Sequence, residues 1–96
     1  MRIQLLDDTD IQQAFAGHLR RLREQEKMSR EALAQRSSVP AATIKKFELT
    51  GQISFRQLLL LWQSLDNLQR LFDLTVAEKT GQRIPASIDE VLNDEL

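Results

Sequence analysis

The stretch LRRLREQEKMSREALAQRSSVPAATIKKFELTGQISFRQLLLL, residues 19–61, decides the fold. Ser29 stands where an N-cap hydroxyl is wanted, with Glu31 well placed in the first turn that follows. The helix it opens, Arg30–Arg36, carries Ala32, Leu33 and Ala34 and ends at Ser37-Ser38. Val39-Pro40 starts the next helix, because proline is tolerated where the backbone N–H has no partner anyway. That helix, about Ala41–Leu49, turns Ile44 and Phe47 inward. Thr50-Gly51 stops it, the glycine suiting a left-handed C-terminal cap. Two helices joined by so short a turn cross at roughly 90–120°. The crossing needs a small residue at the contact, which is Ala34, and buried anchors beyond it, which are Val39, Ile44 and Phe47.

Upstream, Ile11, Phe15, Leu19 and Leu22 fall on one helical face. Thr9 with Gln12 reads as a capping box opening a first helix that runs to about Lys27. Downstream, Ser54 with Gln57 is a second capping box, ahead of Phe55, Leu58, Leu59, Leu60, Leu61, Trp62 and Leu65. A helix apolar almost all round is either the centre of the core or a core-plus-interface helix. Asp66-Asn67 breaks it, and a fifth helix follows with Leu68, Leu71, Phe72 and Leu74. Val76–Ala86 is polar, holds Gly81 and Pro85, and reads as an exposed linker. Ser87 with Glu90 caps a short stripe of Ile88, Val91 and Leu92; two turns of helix are marginal alone, so this piece reads as a docking peptide. Arg2–Leu6 is a candidate short strand. The expected organisation is an N-terminal arm over 1–10, a helical domain over 11–75, and a linker with a short C-terminal amphipathic helix over 76–96.

The 96 residues are 42% hydrophobic and 28% charged, a globular composition. With no cysteine there is no disulfide, thiolate zinc site or thiol nucleophile. One histidine excludes a multi-histidine metal site within the chain. The carboxylates are scattered and no glycine-rich phosphate loop is present, so neither an enzyme nor a cofactor is expected. His18, on an arginine-flanked helix, reads as a surface or packing histidine. The longest apolar run, Leu58–Trp62, is far below the roughly 18 residues of a membrane span. MRIQLLDDTD lacks a signal-peptide core. A soluble, cytoplasmic protein is expected. The net charge of −1 hides an asymmetry. Between His18 and Arg56, nine basic residues face four acidic ones, whereas residues 57–96 hold three bases against seven acids. A basic middle suits a polyanion and acidic flanks suit something else, although basic residues also simply solvate helices.

The pattern of residues 11–74 resembles the helix-turn-helix domain of the Cro/C1 (Xre) repressor superfamily, an all-α, lambda repressor-like fold of five helices. The resemblance implies that the third helix is the recognition helix, its N-terminal half in the major groove of double-stranded DNA. On this reading Pro40, Ala41 and Ala42 suit thymine methyl groups. Thr43, Lys45 and Lys46 also face outward, the lysines reaching guanine edges or phosphates or remaining plain solvated lysines. Arg30 matches a position that contacts the DNA backbone and sometimes a base. Ser29, Arg36, Ser37, Thr50, Gln52 and Arg56 cluster at helix ends, where hydroxyls, amides and helix N-termini grip phosphates. Arg23 and Glu48 match a structural ion pair of related domains. Two departures stand out. Ser38 replaces the usual glycine of the turn, costing about 1 kcal/mol in a left-handed conformation. Pro40 replaces a serine or threonine cap and its hydroxyl.

The second half, FELTGQISFRQLLLLWQSLDNLQRLFDL with the Pro-Ala-Ser-Ile-Asp-Glu tail, resembles HipB-type antitoxins over residues 46–92. The resemblance implies an operon-autoregulating repressor that also binds a HipA-like Ser/Thr kinase toxin. It implies a symmetric homodimer on a palindromic operator, joined through Trp62, Leu65, Leu68, Leu71 and Phe72, with Trp62 read as core or interface. A stand-alone Xre-family repressor without a toxin and a helical protein-interaction adaptor are the alternatives.

Overall fold

A computed structural model describes residues 5–77. Five helices follow one another: α1 (Asp8–Gln25), α2 (Arg30–Ser37), α3 (Ala41–Thr50), α4 (Phe55–Leu65) and α5 (Leu68–Asp73). The described residues contain no strand, so this part of the chain is all-α and has the expected five-helix helix-turn-helix arrangement. The candidate strand at Arg2–Leu6 is absent where it can be followed, at Leu5 and Leu6; residues 2–4 and the expected tail helix at Ser87–Leu92 lie outside the described residues.

Most helix ends follow their local chemistry. The Ser29 hydroxyl accepts the Ala32 N–H at 3.0 Å, and the Ser54 hydroxyl accepts that of Gln57 at 3.1 Å. The first helix starts earlier than Thr9 and Gln12 suggested, inside the stretch expected to be an arm. Asp7 is its cap, and Asp7 and Asp10 exchange reciprocal bonds of 2.9 and 3.2 Å. A carboxylate accepts there as readily as a hydroxyl and also suits the positive end of the helix. Ser38 takes the left-handed conformation at φ +67°, the strain anticipated for this turn. Lys27, between α1 and α2, is also left-handed at φ +56°, which nothing in its sequence neighbourhood signals.

The helices close around Leu33, Val39, Ile44, Phe47 and Leu61, all fully buried, with Ala16, Leu19, Trp62 and Leu65 beside them. Each large side chain of this kind contributes roughly 1.5–3 kcal/mol by leaving water. α1 and α2 both pack on α3 and on α4, whereas α5 rests on α4. Gly51 is required twice over. Its φ is +81°, and a Cβ there would lie 3.1 Å from the Gln12 backbone carbon of α1. Ile11 does not join the face of Phe15 and Leu19. It sits one turn upstream of the packed part of α1 and is exposed, while Ala16 is buried in the contact.

Candidate nucleic-acid interface

Ile44 and Phe47 fix the rotation of α3 by entering the core. The helical period then turns Ala42, Lys45, Lys46 and Leu49 outward, and all four are exposed. Ala41 and Thr43 flank this stripe half-buried, and Pro40 is exposed at the helix start. Lys45 and Lys46 have no carboxylate partner among the described residues. Their charges are therefore free for a polyanion.

An open groove of about 480 Å³ runs beside this stripe, lined by Ala42, Thr43, Lys46, Gln52, Ser54 and Gln57 among others. It lies where α3 ends and α4 begins. Thr50 shapes its rim: the hydroxyl donates to the Lys46 carbonyl at 2.7 Å and accepts the Gln52 N–H at 3.1 Å. Thr50 thus holds the loop, and its proton is already used. At the α4 start the Ser54 hydroxyl also donates to Gln57 Oε1. The first N–H groups of α4 have no partner within the helix, so this end carries partial positive charge. Arg56 stands exposed in that first turn.

Glu48 anchors the other side of α3. Arg23 of α1 donates from Nε and Nη2 to its two oxygens at 2.7 and 3.0 Å, and from Nη1 to the Met28 carbonyl at 2.8 Å. Arg30 of α2 donates from Nε to Glu48 Oε1 at 2.9 Å. The carboxylate is 3% exposed. Burial alone would raise its pKa, but the bonds from Arg23 and Arg30 prevail and hold it below the ordinary glutamate value. The Arg23 guanidinium is pushed above its ordinary value, chiefly by the Glu48 bond.

The remaining expected contacts divide. The Ser29 hydroxyl caps α2 and stays exposed. Arg36 is exposed but leans on Glu26 at 3.4 Å. Ser37 is corrected: it is buried, and its hydroxyl accepts the Val39 N–H at 3.1 Å, so it serves the turn and does not face a phosphate.

Residues 14–78, more than half of the chain, match the helix-turn-helix domain family. The chain belongs to that family. No curated protein and no solved structure matches it. Helix-turn-helix domains bind DNA through the second helix of the motif and are typically non-enzymatic, so the family supports a DNA-binding regulator. Among the described residues no helix is long and apolar enough to cross a membrane.

The helix-turn-helix domain also corrects the expected dimer face. Trp62 takes the core reading, and Leu65 joins it: they are 5% and 9% exposed and packed inside the domain's own core, which leaves little of either for a second chain. The Trp62 indole N–H donates to the Asn67 carbonyl at 2.9 Å, and its ring lies 5.5 Å from Phe15 and 5.2 Å from His18. Leu71 is half-buried against the same core. Leu68 and Phe72 are exposed on α5, with Leu74 and Val76 just beyond. Further features escaped the sequence reading. Leu49 and Phe55 are large apolar side chains left exposed. Asp66 accepts both His18 Nε2 and Arg70 Nη1 at 2.8 Å.

Proposed function

We propose that the protein is a sequence-specific transcriptional repressor and the antitoxin of a toxin–antitoxin pair, autoregulating its operon and binding a HipA-like Ser/Thr kinase toxin. The observation that carries the DNA-binding half is the outward stripe of α3. Ala42, Lys45 and Lys46 stand exposed, the lysines without carboxylate partners among the described residues, beside an open groove at the start of α4. Lys45 and Lys46 reach base edges or phosphates; Pro40, Ala41, Ala42 and Thr43 form the surface facing the bases. Ser29, Arg30, Arg36, Gln52 and Arg56 hold the DNA backbone around them.

One domain makes few contacts, and pairing two half-sites multiplies affinity by orders of magnitude. The proposed homodimer is joined through α5, where Leu68 and Phe72 form an exposed apolar face. The recognition helices then lie about 34 Å apart on a palindromic operator. The antitoxin reading is supported by the HipB-type resemblance and by the charge split between a basic middle and acidic flanks. The proposed organisation is an N-terminal arm over 1–10, into which α1 reaches from the domain as far as Asp8, a DNA-binding domain over 11–75, and a linker with a short C-terminal amphipathic helix over 76–96 that serves as a docking peptide.

The test is a fluorescence-anisotropy titration with duplex DNA from upstream of the protein's own gene, against a scrambled duplex, at two salt concentrations. Preferential binding of the upstream duplex that weakens steeply with salt is expected. Equal, feeble binding to both duplexes overturns the repressor reading and favours the protein-interaction adaptor. Affinity purification from the native host then addresses the toxin: a co-purifying kinase supports the antitoxin role, and its absence leaves a stand-alone repressor.

A further inference from the structure

Glu48 holds two guanidinium groups and leaves them in different states. Arg23 is used up inside the domain. All three of its nitrogens donate, two to Glu48 and one to the Met28 carbonyl, and its side chain is 10% exposed. Arg30 is held by one edge only. Its Nε donates to Glu48, its side chain is 28% exposed, and Nη1 and Nη2 have no protein acceptor among the described residues. A guanidinium is a rigid planar fork, so fixing Nε fixes where the two terminal amino groups point. Glu48 alone is bonded to both guanidiniums, with Glu24 and Glu31 acting on Arg23 from farther off.

Glu48 belongs to α3, whereas Arg30 belongs to α2. The free edge of Arg30 is therefore registered to the helix whose outward stripe carries Lys45 and Lys46, although its backbone is not part of that helix. Accordingly, resting on the DNA-binding reading above, we infer that Glu48 is a positioning residue which presents the free edge of Arg30 to a phosphate of the DNA backbone. Two parallel N–H donors match two phosphate oxygens; a guanine O6/N7 edge accepts the same fork, but only a phosphate contact is independent of sequence, which a mixed-sequence duplex reads. An arginine already anchored loses little freedom on binding. A lysine at this position has three donors on a single nitrogen, so it can touch both Glu48 and the phosphate but cannot present two parallel N–H groups to the phosphate while bonded to Glu48. The low pKa of Glu48 is consistent with this role, since the anchor stays charged as the phosphate arrives.

The test uses a fluorescein-labelled duplex of mixed sequence, titrated with the full chain over a salt series. Wild type, Arg30→Met and Arg30→Lys are compared, alone and with Glu48→Gln. Arg30→Met is expected to weaken binding about tenfold, the size of one charge-assisted hydrogen bond. It should also lower the slope of log affinity against log salt by about 0.9, the share of one phosphate. Arg30→Lys is expected to weaken binding in the wild-type background but by no more than about twofold beside Glu48→Gln, where the arginine has lost its advantage. An equal loss in both backgrounds overturns the positioning role. Unchanged affinity and slope for Arg30→Met overturn the contact itself and leave Arg30 as a staple between α2 and α3.

Should Glu48→Gln fail to fold, the Arg30 Nε–H resonance of the wild type decides by NMR. Slow exchange in the free protein, joined by protection of the terminal amino protons when the duplex is added, is expected. Fast Nε–H exchange in the free protein overturns the anchor. A wild-type chain that binds no duplex at any salt removes the DNA reading and this inference together, an outcome distinct from wild-type binding with unaltered variants.

Discussion

Glu48 and Asp66 do similar work in two parts of the domain. Glu48, on α3, receives Arg23 from α1 and Arg30 from α2. Asp66, in the turn between α4 and α5, receives His18 from α1 and Arg70 from α5. Both carboxylates are nearly buried, at 3% and 10% exposure. For each, burial works to raise the pKa and the hydrogen bonds overcome it, holding the carboxyl below its ordinary value. What differs is the structure each one secures. Glu48 is adjacent to Phe47 and sits among helices that share one core. Asp66 ties down α5, which has no buried residue of its own. The same chemistry therefore supports a cooperative unit in one place and a peripheral helix in the other. Stability of the first kind is global, and of the second kind local.

The largest effect expected is from Glu48→Ala. It leaves the 10% exposed Arg23 guanidinium without its partner, and stranding a buried charge costs about 3–5 kcal/mol. Because the loss falls on the shared core, the urea midpoint should drop while the cooperativity of unfolding is kept. Asp66→Asn is the matching change at the other centre. It removes charge-assisted bonds to His18 and Arg70 and should cost about 1–2 kcal/mol. Hydrogen exchange is the discriminating measurement, since protection should fall in α5 and the adjoining turn well before it falls in α3. Uniform loss of protection across the chain would show that α5 belongs to the cooperative unit, and the contrast between the two centres would disappear.

The part of the fold around Glu48 was legible because its signals are local. Ser29, Ser54 and Gly51 mark helix ends by chemistry that reaches at most three or four residues, and the spacing of Ile44 and Phe47 orients α3. The part around Asp66 was not. α4 is apolar almost all round, so its pattern does not say which leucines face the core and which face outward. Trp62 and Leu65 fit a dimer face or a core equally well on that pattern, and the packing of α4 on α1 and α2 places them inside. Long-range polar pairs were half legible. Arg23 and Glu48 follow from resemblance to related domains, but the second arginine on the same carboxylate depends on how α2 crosses α3. Ser37 reads as a free hydroxyl in sequence, and only the path of the turn shows its oxygen occupied by the Val39 N–H.

Acid separates the two centres less sharply than mutation does, but it tests both at once. A carboxyl whose folded pKa is lowered binds fewer protons than in the unfolded chain. Its contribution is complete above the unfolded carboxylate range, about pH 4–4.5, and is lost as the pH falls through the lower folded values. Unfolding midpoints should therefore decline below that range. The decline should be shallower in Glu48→Gln and in Asp66→Asn, each of which removes one of the two titrating groups. Equal acid sensitivity in wild type and both variants would assign the loss to other carboxylates.

The smallest effect on stability is expected at Lys45 and Lys46, which turns the comparison into one between structural and free cations. Neither lysine has a carboxylate partner among the described residues, and both are exposed. Lys45→Ala and Lys46→Ala should each leave the unfolding midpoint within about 0.5 kcal/mol of wild type. Their effect should appear in duplex titrations. A lysine that reads a base edge is worth roughly 1–3 kcal/mol, concentrated on the preferred sequence. A lysine on a phosphate lowers affinity evenly across sequences and takes about one unit from the salt slope. Arg23 should show the opposite profile, with a large loss of stability and no distinct salt term, because every nitrogen of its guanidinium is already bonded within the domain. If Lys45→Ala and Lys46→Ala both bind duplex DNA as wild type does, the outward face of α3 is not the recognition surface, however exposed its charges are.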